Sequence, residues 1–225
     1  PYKHISLIGL GLIASSIALA TKRGNSSIRV TGTSRSISTR LKAQELSICE
    51  VCETIEEAVL EADLIILCVP VGVMAAVFRD VLPFLKEGAT ITDVGSVKGS
   101  VISQIRPYLR QGVNFIPGHP LAGTEHSGPE AGFAELFDNR WCLLTPMADT
   151  PENYLKKLSM FWENLGAKVD RMTPEHHDLV LAVTSHAPHL IAYTMVGVAD
   201  ELASTKYVCV TSNSNQSGYQ TPYSS

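Results

Sequence analysis

The amino-acid sequence predicts an α/β protein in which a doubly wound, mostly parallel sheet is followed by an all-helical segment. Three observations carry this reading. Short β-branched runs alternate with amphipathic stretches between residues 4 and 171. A glycine-rich turn, Gly9-Leu10-Gly11-Leu12-Ile13-Ala14, closes the first run and opens a helix. Strand signals stop after Thr173, which can cap a helix opening at Pro174.

Taken in order, residues 4–9 read as a strand and 12–23 as the helix after it. Residues 27–33 form a second strand and 38–46 a helix; the run LIILCV within 63–69 is a fully buried strand closed by Pro70. A helix over 73–82, a strand over 90–93, a helix over 97–109 and strands over 114–117, 141–145 and 167–171 follow, with a proline-led helix over 151–165 between the last two. The predicted division is 1–172 for a nucleotide-binding domain and 173–202 for the start of a helical domain, with 203–225 an atypical polar tail rich in Ser, Thr, Asn and Tyr.

Composition narrows the partners. The 225 residues carry 18 Lys+Arg against 22 Asp+Glu, a net charge of −4, and 45% are hydrophobic. Disorder of the whole is excluded, and without a basic run there is no electrostatic footprint for nucleic acid or an anionic membrane. The apolar stretch 179–199 holds His186, Pro188 and His189, so it reads as a buried helix and not as a membrane span. Five scattered cysteines give no disulfide framework, and Cys49 and Cys52 lack the further ligands of a zinc site. With no signal-peptide pattern at the start, the cytoplasm is expected.

The glycine turn has the form GxGxxA inside a βαβ unit, which makes the fold Rossmann-like. Gly9 permits the tight turn, Gly11 lets backbone approach a pyrophosphate, and the N–H groups of the helix start at Leu12 and Ile13 face its charge. At the end of the second strand, where a carboxylate usually reads the ribose of NAD, the chain has Ser34 and Arg35. Both can bind a 2′-phosphate, which favours NADP over NAD, while a solvated loop charge is the other reading of Arg35.

Ser96, at the carboxyl end of the 90–93 strand, can cap the helix after it and can also face a ligand. His119, between a glycine and a proline just past a strand, reads as a functional loop histidine suited to acid–base work near neutrality. His126 reads as rim. His186 and His189, at i and i+3, line a polar substrate pocket or are satisfied core histidines; no carboxylate converges on them as a metal site would need.

Four segments, GLGLIASSIA, DVGSVKGSVI, FIPGHPLAGTEHSGPEAGFAELFDNRWCLLTP and MTPEHHDLVLAVTSHAPHLIAY, resemble the prephenate and arogenate dehydrogenase family of tyrosine biosynthesis in order and spacing, over residues 4–202. The resemblance implies nicotinamide-dependent oxidative decarboxylation: hydride leaves C4 of a cyclohexadienol and loss of carbon dioxide from C1 restores aromaticity. Prephenate would give 4-hydroxyphenylpyruvate and arogenate would give tyrosine. It implies His119 as acceptor of the C4 hydroxyl proton, Ser96 as a second partner of that hydroxyl, His186, His189 and Thr124 on the substrate side, and Val69 and Pro70 beside the nicotinamide.

Two departures bear on function. Ala14 stands where the family usually has glycine, and the family's helical domain, with its dimer interface and an arginine for a substrate carboxylate, continues beyond the equivalent of Leu202. Lys98 and Arg140 are the remaining cations for that carboxylate. The expectation is a truncated or altered member whose apolar helix seeks a second copy, giving a homodimer or aggregate with reduced turnover. The alternative is a nucleotide-binding protein with little or no turnover. A hydroxy-acid or amino-acid dehydrogenase would need a catalytic lysine between residues 173 and 202, and there is none.

Overall fold

The structure, a computed structural model, describes residues 2–204. Six parallel strands, β1 (His4–Ile8), β2 (Arg29–Thr33), β3 (Glu50–Val51), β4 (Leu64–Leu67), β5 (Thr90–Asp93) and β6 (Asn114–Ile116), form a sheet in the order β3-β2-β1-β4-β5-β6. Strand order reverses between β1 and β4, and in open sheets of this kind a ligand crevice lies outside the strand ends at that point. Helices α1 (Leu12–Gly24), α2 (Ile37–Glu45), α3 (Ile55–Val59), α4 (Val71–Val81) and α5 (Gly99–Ile105) connect the strands.

The two-residue period of the strands divides the core. Ile5, Leu7, Leu64 and Ile66 pack with Ala14, Ile17 and Ala18 of α1, while Ile8, Ile65, Leu67 and Ile91 pack with Met74 and Phe78 of α4 and Val101 of α5. Both faces of β1 and β4 are buried; β4 is accordingly an unbroken apolar run, LIIL, while β1 buries His4 and Ser6 among its apolar residues.

The later strands correct the single-sheet expectation. β7 (Gly118–Pro120), β8 (Trp141–Leu144) and β9 (Lys168–Arg171) make a separate sheet in which β7 and β8 are antiparallel and β8 and β9 parallel. The chain leaves the main sheet at Pro117, whose carbonyl accepts the Thr145 N–H. α6 (Glu152–Asn164) brings Phe161 and Trp162 into the α1 core, Trp162 edge-on to Phe137 at 5.4 Å. The sequence reading also passed over β3 and α3, although Thr54 and Glu57 form a reciprocal capping box.

α7 (Pro174–Leu181) starts as expected, with the Thr173 hydroxyl accepting the His176 N–H. A π-helical turn, Ala182–His186, leads into α8 (Ala187–Ser204). Contacts divide the chain into Pro1–Val180 and Leu181–Ser225, so α7, with His177 buried, groups by contact with the first unit. On α8, Leu190, Ile191, Tyr193, Met195 and Val196 are exposed, where the sequence suggested a buried helix. Among the described residues, no helix is long and apolar enough to cross a membrane.

Candidate active site

The turn after β1 is shaped by backbone alone. Gly9 has φ +97, and a Cβ there would meet the Cys68 carbonyl oxygen at 2.5 Å and the Val69 side chain at 3.0 Å. Gly11 behaves oppositely: a Cβ would meet nothing within 4 Å, so the chain itself does not demand glycine, and a side chain would instead fill the cradle in front of α1. α1 begins at Leu12 with no side-chain cap and no acidic residue in its first turn. Its leading N–H groups are therefore left for an anion. These features fit the diphosphate of a dinucleotide. Val69 and Pro70 follow β4 beside the Gly9 turn, Pro70 capping α4 two residues earlier than predicted.

At the end of β2, Ser34 is half-buried and Arg35 exposed. The Arg40 guanidinium donates to the Ser34 carbonyl at 2.6 Å and to that of Arg35 at 3.5 Å, fixing the loop from below. No carboxylate occupies residues 34 and 35.

His119 is not a loop residue. It is the middle of β7, paired with Leu143, and Pro120, which has no N–H to give, ends this edge strand. Its Nδ1 lies 2.9 Å from Nε2 of His177, and His177 Nδ1 lies 2.8 Å from the Asp178 carboxylate. Sequence reasoning missed both partners, which lie on α7.

The protons of this chain are set from its acceptor end. Burial, strongest among several influences, lowers the His177 pKa, so its ring is neutral near pH 7. Burial would raise Asp178, but the Lys98 N–H, the His177 ring and the Gly99 N–H outweigh it and hold the carboxyl below its usual range. An ionised Asp178 only accepts, so His177 carries its proton on Nδ1 and accepts at Nε2; His119 then donates from Nδ1 and keeps the lone pair on Nε2.

Asp178 has a second task. Its two oxygens accept the N–H groups of Lys98 and Gly99, both at 2.8 Å, capping α5 from a distant part of the chain. Ser96 therefore does not cap the helix as expected; α5 starts at Gly99, and Ser96 stays exposed in the turn before it. Lys98, expected as a cation for the substrate carboxylate, is instead buried: its side chain is 0% exposed, and its ammonium donates to Asp93 and to the Gly118 carbonyl. Thr124 is exposed and its hydroxyl accepts the His126 N–H within its own loop. Arg140 is exposed at the start of β8. The side chains of His186 and His189 lie outside the described residues. Burial raises the Cys68 and Cys142 thiols well above their ordinary value, so neither is a nucleophile.

The nucleotide-binding domain of prephenate dehydrogenase matches residues 17–171, and its dimerization domain matches residues 173–215, past Leu202. The chain belongs to the prephenate dehydrogenase family. It is thus an oxidoreductase with a nicotinamide-dinucleotide-binding domain. It is 46% identical to a cyclohexadienyl dehydrogenase of Zymomonas mobilis over 88% of this chain and 67% of that one. With a prephenate dehydrogenase of Lactococcus lactis it shares 36% identity over 89% of this chain, spanning 55% of that protein's length. Among solved structures it resembles prephenate dehydrogenase from Aquifex aeolicus in complex with hydroxyphenyl propionate and NAD+. The two share a TM-score of 0.84 and 32% identity over 92% of this chain and 72% of that one.

Proposed function

We propose that the chain carries out oxidative decarboxylation of prephenate or arogenate with His119 as its base. The observation that carries this reading is the Asp178–His177–His119 chain, which leaves the lone pair on His119 Nε2. The Gly9 turn and the N–H groups of Leu12 and Ile13 hold the dinucleotide diphosphate, with Val69 and Pro70 beside the nicotinamide. Ser34 and Arg35 favour NADP. Bound there, the nicotinamide supplies the hydride acceptor.

The rest falls to the chain's own residues. His119 takes the C4 hydroxyl proton as the ring becomes a dienone, and Ser96 orients the same hydroxyl. When carbon dioxide departs, the C4 oxygen becomes a phenolate and needs a proton; His119 returns the one it took. No proton is released overall. Asp178 steadies the positive charge that rests on the imidazole pair between the two steps.

The exposed apolar residues of α8 and the match to a dimerization domain support a homodimer built through the helical segment. A clean monomer in sedimentation at high concentration would overturn that part.

The test is absorbance of the reduced nicotinamide with prephenate or arogenate and NAD or NADP in separate cuvettes. Absorbance rises in the native chain and its rate falls about 100- to 10,000-fold in His119→Asn, with cofactor affinity retained. Undiminished turnover in that variant removes His119 as base. Silence with both substrates while cofactor binds favours a nucleotide-binding protein without turnover.

A further inference from the structure

Asp93 and Lys98 are both 0% exposed, and the mechanism above gives neither a direct part. Burying two charges is costly unless each finds partners, and surplus hydrogen bonds show what such a pair is holding. Here they are all backbone groups of the active edge. Asp93 accepts the Gly95 N–H at 2.9 Å and the Gly118 N–H at 3.2 Å, and Lys98 donates to the Gly118 carbonyl at 2.7 Å. The pair thus grips residue 118 by both its N–H and its carbonyl, one residue before His119, and the turn that carries Ser96 from both sides.

We propose that Asp93 and Lys98 form a charge-neutral bracket that positions His119 and Ser96 and adds no net charge to the imidazole pair beyond that of Asp178. This rests on the reading of His119 as the base. The titratable and charged groups about that pair include Asp178 of α7, Asp93 of β5, Lys98 of the turn before α5, and the Cys142 thiol of β8, kept neutral by burial. Lys98 and Asp93 push His177 in opposite directions, so removing either one unbalances the site with a sign that depends on which is lost. A scaffold with no electrostatic part would not carry that sign.

The test uses the full chain as Lys98→Met, as Asp93→Asn and as the double variant. kcat and KM are followed against pH, and the His119 and His177 imidazole resonances are titrated without substrate. In Lys98→Met the unpaired carboxylate moves the imidazole titration and the acid limb of kcat to higher pH; in Asp93→Asn the unpaired ammonium moves both to lower pH. The double variant returns them to the native position, yet kcat stays about 10- to 100-fold down because the grip on residue 118 is gone, with KM unchanged.

Imidazole titrations at one pH in every variant overturn the proposal, as does full kcat in the double variant. So does a rise in substrate KM without a fall in kcat in Lys98→Met, the result expected of a cation that binds a substrate carboxylate. If neither single variant folds, the neutral double variant decides: reduced kcat at native KM supports the bracket, and native kcat overturns it. Were His119 not the base, the resonances would still move apart while the acid limb of kcat stayed in place, which separates the two failures.

Discussion

The turn after β1 and the cluster around His119 are both candidates for chemistry, but they are made of different material. The turn consists of six consecutive residues and works through backbone: one glycine held at positive φ, another facing open space, and a helix start with spare N–H groups. The cluster is assembled from β5, the turn before α5, β7 and α7, and works through side chains whose partners lie 58 and 80 residues apart. A site built from contiguous backbone tolerates little substitution within itself and depends little on what lies elsewhere. A site built from distant side chains can be disabled from several places and repaired by compensating pairs.

The largest expected effect lies within the turn and separates its two glycines. Gly9→Ala loses at least about 1–2 kcal/mol of stability from the left-handed backbone alone, more from the contact with Cys68, and loses cofactor binding with it. Gly11→Ala changes stability by no more than about 0.5 kcal/mol, yet weakens cofactor binding on the order of 100-fold, equivalent to about 2.8 kcal/mol. Thermal unfolding with and without dinucleotide distinguishes them; equal destabilisation of the two would erase the division between a fold glycine and a ligand glycine.

In the cluster, Asp178→Asn is expected to lower kcat about 10- to 100-fold, the range for lost partners that orient an imidazole, with cofactor affinity native. The amide would present a donor to His177 and reverse the proton order down to His119. A native kcat in this variant would show that His119 does not depend on its neighbours. A smaller effect belongs to Arg35→Ala, expected to weaken NADP about tenfold and NAD hardly at all, from loss of one charge-assisted contact; an equal loss for both dinucleotides would return Arg35 to the solvent.

The smallest effect is in pH. Burial lowers His4 and His177, so as pH falls through about 6.5 the unfolded chain takes protons that the folded one refuses, and stability begins to drop. A second loss comes between about 4 and the Asp63 carboxyl. Burial would raise that group, but Lys86 and the N–H groups of Lys3 and His4 outweigh it and hold it at about 2. Urea midpoints measured against pH should show two steps, with the first reduced in His177→Gln; a single step near pH 4 would mean that the buried histidines hold protons in the fold.

The same contrast explains what the sequence could disclose. The GxGxxA turn, the strands of the main sheet other than β3 and the Thr173 cap are local patterns, and each stands where periodicity and capping chemistry put it. His119 stood out for its neighbours Gly118 and Pro120. His177 and Asp178 did not, because nothing near residue 177 signals that α7 returns to β7, and the burial of Lys98 did not show because its partner Asp93 ends a short strand, TITD, with a single apolar residue. Thr54-x-x-Glu57 was a readable capping signal, hidden in a helix of five residues too short to show a period.

Asp178 also bears on how such proteins can be recombined. By sequence it belongs with the helices, yet it finishes the backbone of α5 and orients His177. A chimera spliced at residue 172 would set a foreign carboxylate and imidazole against this chain's α5 and His119, whereas one joined after Val180 would keep its native set. The cassette border for exchanging the helical half therefore lies one helix later than the border a domain boundary in the sequence suggests.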